Sequence, residues 1–185
     1  MHAEICIHET LEIILGKSAM EEILAVLLDR EVKKIVLELA PVLVCHHRHG
    51  ITWLSVNDWD MEKRRSVAKD ISKKEYITYL ALDGDRVVGF IGLMKKLNGS
   101  YMILDLMQVS AEVRGHGIGR KLFDKGKEEA RKAGAEALYI SACSSEETIA
   151  FYNAMGCSLT DSPIKEIAED EPYDLQMICP VNSES

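Results

Sequence analysis

The chain has 185 residues, 47% of them hydrophobic and 28% charged, with a formal net charge of −8. That length can bury one sizeable core, and the acidic balance argues against nucleic acid as a direct partner, because binding a phosphate backbone needs a basic face. No apolar run is long enough to cross a bilayer and no signal peptide is recognisable, so a cytoplasmic protein with no membrane partner is expected. In chain order, Ala3 to His8 alternates weakly as a first strand. Ser18 and Glu21 have capping-box spacing, and Met20, Ile23, Leu24, Leu27, Leu28, Val32, Ile35, Val36 and Leu39 follow at helical period. This predicts a long amphipathic helix ended by Pro41, whose ring removes a backbone donor and clashes with the preceding turn. Its broad apolar stripe can cover a sheet or serve a homodimer interface.

After Pro41 comes Val42 to Cys45 and then His46-His47-Arg48-His49-Gly50. The histidines lack nearby carboxylate or cysteine partners at ligand spacing, so no metal is expected there, and basic residues before a glycine read as a helix stop. Ile51 to Val56 is a short extended piece or a loop, and Asp58 to Ser72 an amphipathic helix; Trp53 and Trp59 plug a core or line a pocket. From Tyr76 the pattern turns to strands: Tyr76 to Leu82, Arg86 to Met94 and Tyr101 to Val109, separated by Asp83-Gly84-Asp85 and Asn98-Gly99-Ser100. Asp-Gly and Asn-Gly are strong hairpin signals, so an antiparallel meander is expected. The five cysteines, Cys6, Cys45, Cys143, Cys157 and Cys179, are odd in number and have no C-x-x-C spacing. They are expected to be reduced and mostly buried, without a disulfide framework or zinc site.

The third strand of the meander feeds Arg114-Gly115-His116-Gly117-Ile118-Gly119-Arg120, after which Ile118, Leu122, Gly126, Ala130 and Ala133 recur at helical spacing. Glycines where a strand turns into a helix let several backbone N–H groups converge on one anion above the helix N-terminus. The dinucleotide pattern G-x-G-x-x-G fails, because Arg120 or Leu122 stands where the third glycine belongs, and the G-x-x-x-x-G-K-[ST] pattern fails as well. R-x-x-G-x-G fits, with Arg114, Gly117 and Gly119. The helix ends at Gly134, and Glu136 to Cys143 returns as a strand, a right-handed parallel unit. Ser144 and Glu147 again have capping-box spacing, ahead of a helix carrying Ile149, Tyr152 and Met155 up to Gly156. Glu171 to Ile178 alternates as a closing strand, and Asn182 to Ser185 reads as a frayed tail.

From Tyr76 to Val181 the sequence resembles the GNAT superfamily of acetyl-CoA-dependent N-acetyltransferases, through the run from Val109 to Gly119 and through Phe151-Tyr152-Asn153-Ala154-Met155-Gly156. It departs from the family pattern at Cys157, where a final aromatic is usual, and at Ser145, where many members have an asparagine that contacts the pantetheine arm. The resemblance implies a mixed α+β fold with a mostly antiparallel twisted sheet of six to seven strands flanked by helices. It implies an acetyl-CoA-binding core over residues 76–181, with residues 1–75 as the acceptor side of the same domain and 182–185 as a tail. Acetyl-CoA is then the co-substrate, without a metal.

The cofactor contacts implied by the resemblance are Met107, Val109, Arg114, Gly115, His116, Gly117, Ile118, Gly119 and Arg120, with a backbone N–H near Met107 or Val109 meeting the carbonyl oxygen. Tyr152 stands at the family's general-acid position near the CoA sulfur. For the amine proton, Asp105 is the carboxylate candidate on the incoming strand, beside a water relay; strand alternation puts it on one face with Met107 and Val109. Glu112, Lys121 and Cys143 read better as turn, surface and structural residues. The acceptor is expected to be a small-molecule or protein amine, and an acidic surface mildly favours a cationic one. The competing expectation is a non-catalytic acyl-CoA-binding sensor or docking module.

Overall fold

The computed structural model describes residues 4–6, 42–48, 51–57, 60–83 and 86–181. The helix expected between Ser18 and Leu39, Trp59 and the tail lie outside them. Among the described residues seven strands form one sheet: β1 (Glu4–Cys6), β4 (Tyr76–Asp83), β5 (Arg86–Met94), β6 (Tyr101–Val109), β7 (Ala137–Ala142), β8 (Ser158–Leu159) and β9 (Leu175–Pro180). Their order is β1-β4-β5-β6-β7-β9-β8, antiparallel throughout except for the parallel pair β6 and β7. The mostly antiparallel α+β expectation therefore holds. The parallel step is made by α2 (Ile118–Lys132), which carries the chain from the end of β6 back to the start of β7, as a parallel pair requires.

A separate hairpin joins β2 (Val42–Arg48) and β3 (Ile51–Asn57), closed by the pair Arg48 and Ile51. This corrects the reading of His46 to Arg48 as a helix stop. Two seven-residue runs separated by His49-Gly50 have the length and spacing of a hairpin. The β-branched residues Val42, Val44, Ile51, Thr52 and Val56 suit strands.

Helices cover both faces of the sheet. α1 (Met61–Ile71) is capped by Asp60, whose side chain accepts from the Lys63 N–H at 2.7 Å. Its buried Val67, Ala68 and Ile71 pack with Leu80, Val87 and Phe90. On the other face, Leu122, Phe123 and Ala130 of α2 pack with Tyr79, Ala81, Ile91, Leu93 and Leu138. Leu122 and Phe123 are fully buried, each contributing about 1.5–3 kcal/mol of hydrophobic stabilisation. Tyr79 ties the helix to the sheet by donating from its hydroxyl to Glu129 Oε1 at 2.9 Å.

Two short elements were not anticipated: β8 and α4 (Lys165–Asp170). The closing strand starts at Leu175, later than the alternation from Glu171 suggests, because α4 and the turn after it use the intervening residues. The expectation of reduced cysteines is corrected at Cys143, which is disulfide-bonded, whereas Cys157 and Cys179 are free and buried. Among the described residues no helix is long and apolar enough to cross a membrane.

Gly126 sets how closely α2 lies on the sheet: a Cβ there would stand 3.0 Å from Ile91 Cδ1 and 3.5 Å from Leu93 Cδ2. Gly126→Val is expected to cost about 1–3 kcal/mol by overpacking, lowering Tm by roughly 2–4 °C per kcal/mol for a chain of this size. An unchanged melting curve would contradict this packing.

Candidate functional site

Two parallel strands part company at the centre of the sheet. The pairing of β6 with β7 runs from Tyr101 and Ala137 to Leu104 and Ile140, yet β6 continues to Val109 and β7 to Ala142. On its other side β6 stays paired with β5, Leu106 with Gly92, Met107 with Ile91 and Val109 with Gly89. The Ser110 N–H donates to the Val88 carbonyl. Because backbone groups in an antiparallel strand alternate sides, Gln108 and Leu106 face β5 with Ser110, and the N–H groups of Met107 and Val109 face the side that β7 has left. Two polar backbone positions thus look into a wedge between strands.

The parting begins at a β-bulge. Leu104 pairs with Leu93 and Leu106 with Gly92, so Asp105 is the extra residue. This interrupts the strict alternation expected to align Asp105 with Met107 and Val109, and bulges commonly re-aim a side chain beside a binding site. Asp105 is exposed, lines the cleft and accepts a hydrogen bond from the Tyr76 hydroxyl at 2.7 Å. Burial and the neighbouring Asp105 carboxylate push the Tyr76 phenol pKa up, so it stays protonated as the donor.

The wedge opens into a cleft of about 600 Å³ bounded by β6, the glycine loop, the end of β7 and α3 (Glu146–Ala154). A short 3₁₀ turn at Ala111–Val113 carries the chain from β6 to the loop. Gly115 and Gly117 both have φ of 79°, where other residues are strained, and Gly117 caps α2. Among the described residues nothing lies within 4 Å of where a Cβ would stand on either, so their backbones face open space at a helix N-terminus, the arrangement that holds an anionic group. Gly119 is tight for another reason: a Cβ would stand 3.1 Å from the Phe151 ring.

Arg114 donates from Nε to the Val109 carbonyl at 3.1 Å, which directs the guanidinium along the cleft. Lost hydration pulls its pKa below the usual arginine value, and nearby Glu147 opposes that shift; the group still stays cationic. His116 Nδ1 lies 2.9 Å from the Arg114 carbonyl and 3.2 Å from that of Val113. A carbonyl only accepts, so Nδ1 carries the proton and the ring braces the loop. Ile118 is buried beneath the loop, while Arg120 is exposed along the cleft.

Tyr152 is 7% exposed and borders the cleft, its ring set edge-on to Phe123 and Phe151 at 5.9 and 5.3 Å between centroids. Burial pushes its phenol pKa up. Among the described residues its hydroxyl has no hydrogen-bond partner. Ser145, one residue after the expected cap, is the N-cap of α3 and is buried; its Oγ accepts from the Thr148 N–H at 3.2 Å and donates to Thr148 Oγ1 at 2.9 Å. The hydroxyl at the asparagine position is therefore used within the helix cap.

The structure brings every sequence-derived candidate except His116 to the wall of this one cleft. It adds Phe151, Glu147, Glu171 and Asp174, which sequence reasoning missed. Phe151 was within reach of it, since it adjoins Tyr152 in the recognised run; the acidic residues arrive from separate segments and carry no local signal.

The profile of the Acetyltransferase (GNAT) family matches residues 46–157. No curated protein sequence matches this chain. Among solved structures, aminoglycoside 6'-acetyltransferase type Ii is similar with a TM-score of 0.58 and 18% identity, covering 87% of this chain and 94% of that one. The ribosomal-protein-S18-alanine N-acetyltransferase from Escherichia coli is similar at 0.55 and 15%, covering 100% and 97%. The PaiA N-acetyltransferase from Thermoplasma acidophilum, solved with coenzyme A, gives 0.52 and 15%, covering 97% and 99%. With a family profile spanning more than half its length and the same fold in these structures, the chain belongs to the GNAT family of acetyltransferases.

Proposed function

We propose that this protein transfers an acetyl group from acetyl-CoA to a primary amine by direct attack within a ternary complex. The observation that carries this reading is the wedge between β6 and β7, where the N–H groups facing the gap, an open glycine turn and a buried tyrosine line one cleft. Acetyl-CoA supplies a thioester, and every other part of the chemistry falls to the chain. The N–H groups of the Gly115 to Gly119 turn and the guanidinium of Arg114 hold the pyrophosphate, with Arg120 at the rim. The Met107 N–H receives charge that develops on the thioester carbonyl oxygen, and the Val109 N–H faces the same gap.

An alkyl amine with a pKa near 10.4 is almost wholly protonated at pH 7, which handicaps attack by roughly 4–5 kcal/mol. Asp105 accepts that proton, directly or through water, and the Tyr76 hydroxyl fixes which carboxylate oxygen is free to do so. Tyr152, kept protonated by burial, donates to the departing thiolate; a phenol whose hydroxyl is not used in packing is available for that. The same feature favours a catalyst over a non-catalytic acyl-CoA sensor, which has no use for a proton donor at that place.

Two substitutions test the assignment. Gly117→Glu places a carboxylate against the phosphate site and is expected to abolish CoA binding by calorimetry while the circular dichroism spectrum stays native. Retained affinity would remove the turn from the site. Tyr152→Phe is expected to lower kcat about 10²-fold, with CoA affinity changed less than threefold. Full activity would end the general-acid role.

A further inference from the structure

A second cavity, of about 660 Å³, continues from the first and shares Leu104, Asp105, Ser141 and Glu171 with it. It is bounded by the turn before β4, the Asn98-Gly99 turn between β5 and β6, and the end of α4. Its size is that of a small-molecule site. It opens at Asp105, which the proposed mechanism uses to deprotonate the acceptor, so an acceptor lying in it presents one end to the thioester and the rest to this wall.

The wall is predominantly acidic. Among the described lining residues Glu75, Asp105, Asp170 and Glu171 are carboxylates and Lys96 is the single cation. Asp105 is held by the neutral Tyr76 hydroxyl; the nearby Lys73 pairs with Asp70 at 2.7 Å and is attracted more weakly by Glu75 and Asp105. Among the described residues no cation forms an ion pair with Glu75, Asp170 or Glu171. Carboxylates gathered in a concave site focus a negative field that attracts cations. An uncharged or anionic acceptor leaves that field unanswered; an acceptor with a second ammonium group answers it.

Resting on the acetyl-transfer reading, we propose that this cavity is the acceptor site and selects a small di- or polyamine. One nitrogen, having lost one proton to Asp105, forms the C–N bond as the C–S bond breaks. Tyr152 protonates the leaving thiolate and is restored by the second proton which that nitrogen sheds as the amide forms, while Asp105 passes its proton to solvent. The second nitrogen keeps its charge among Glu75, Asp170 and Glu171 and takes no part in bond making. Glu75 and Asp170 lie outside the thioester cleft, so they act on acceptor choice alone.

The test is calorimetric titration of the CoA-saturated full-length protein with linear diamines of three to five carbons, each beside the amino alcohol of equal length, in which a hydroxyl replaces the second ammonium. At least one diamine is expected to bind ten or more times tighter than its amino alcohol. That ratio is expected to shrink as salt rises, and to fall at least fivefold in Glu75→Gln and in Asp170→Asn. Equal affinity for the two probes, or a preference untouched by both substitutions, overturns the proposal. Turnover of labelled acetyl-CoA with the amino alcohols is read separately. Transfer without diamine preference overturns the acceptor class alone, and tight diamine binding without transfer to either probe counts against the acetyl-transfer reading instead.

Discussion

The site depends on two parallel strands that start together and end apart. Up to Leu104 and Ile140 the strands β6 and β7 satisfy each other's backbone groups; beyond them each continues alone on that side. A buried backbone group without a partner is costly, so this wedge persists only where something else answers those groups. The extra residue at Asp105 lets β6 keep its pairing with β5 while it turns from β7. The buried packing of α2 across β5, β6 and β7 holds the sheet in that shape from beneath. The same helix brings its N-terminus, with the glycine turn, to the mouth of the wedge. Fold and proposed phosphate site are thus two ends of one element.

Around the wedge the chemistry is divided by surroundings. Tyr152 lies against Phe123 and Phe151, where lost hydration holds its proton in place. Asp105 lies on the exposed side, where it accepts from the neutral Tyr76 hydroxyl and attracts the Lys73 ammonium. In the proposed reaction the first protonates a thiolate and is restored by the proton that the new amide nitrogen sheds, while the second collects a proton from an ammonium and passes it to solvent, so no charge is left inside the cleft. The acidic cavity beyond Asp105 extends the logic from reaction to choice of acceptor.

What could be read from the sequence was local. Gly115 and Gly117 announce the turn between strand and helix, which needs particular residues at fixed offsets, and the Asn-Gly hairpin and the capped helix holding Tyr152 are equally short-range. The bulge at Asp105 was not legible, since an extra residue shows only against the register of β5, and an alternating run conceals it. The histidine run misled because basic residues before a glycine suit a helix end, whereas the pairing of Val42–Arg48 with Ile51–Asn57 decides otherwise. Glu75, Asp170 and Glu171 meet only through tertiary structure, and α4, six residues long, has too little periodicity to announce itself.

The most direct test of the central claim is to incubate the purified protein with acetyl-CoA labelled in its acetyl carbons and a cell extract divided into small-molecule and protein fractions, with mass spectrometry of both. The account predicts protein-dependent label on the nitrogen of a discrete small amine, lost in Gly117→Glu. Saturable acetyl-CoA binding with no label moved in any fraction, or label found only on oxygen or sulfur, would contradict it.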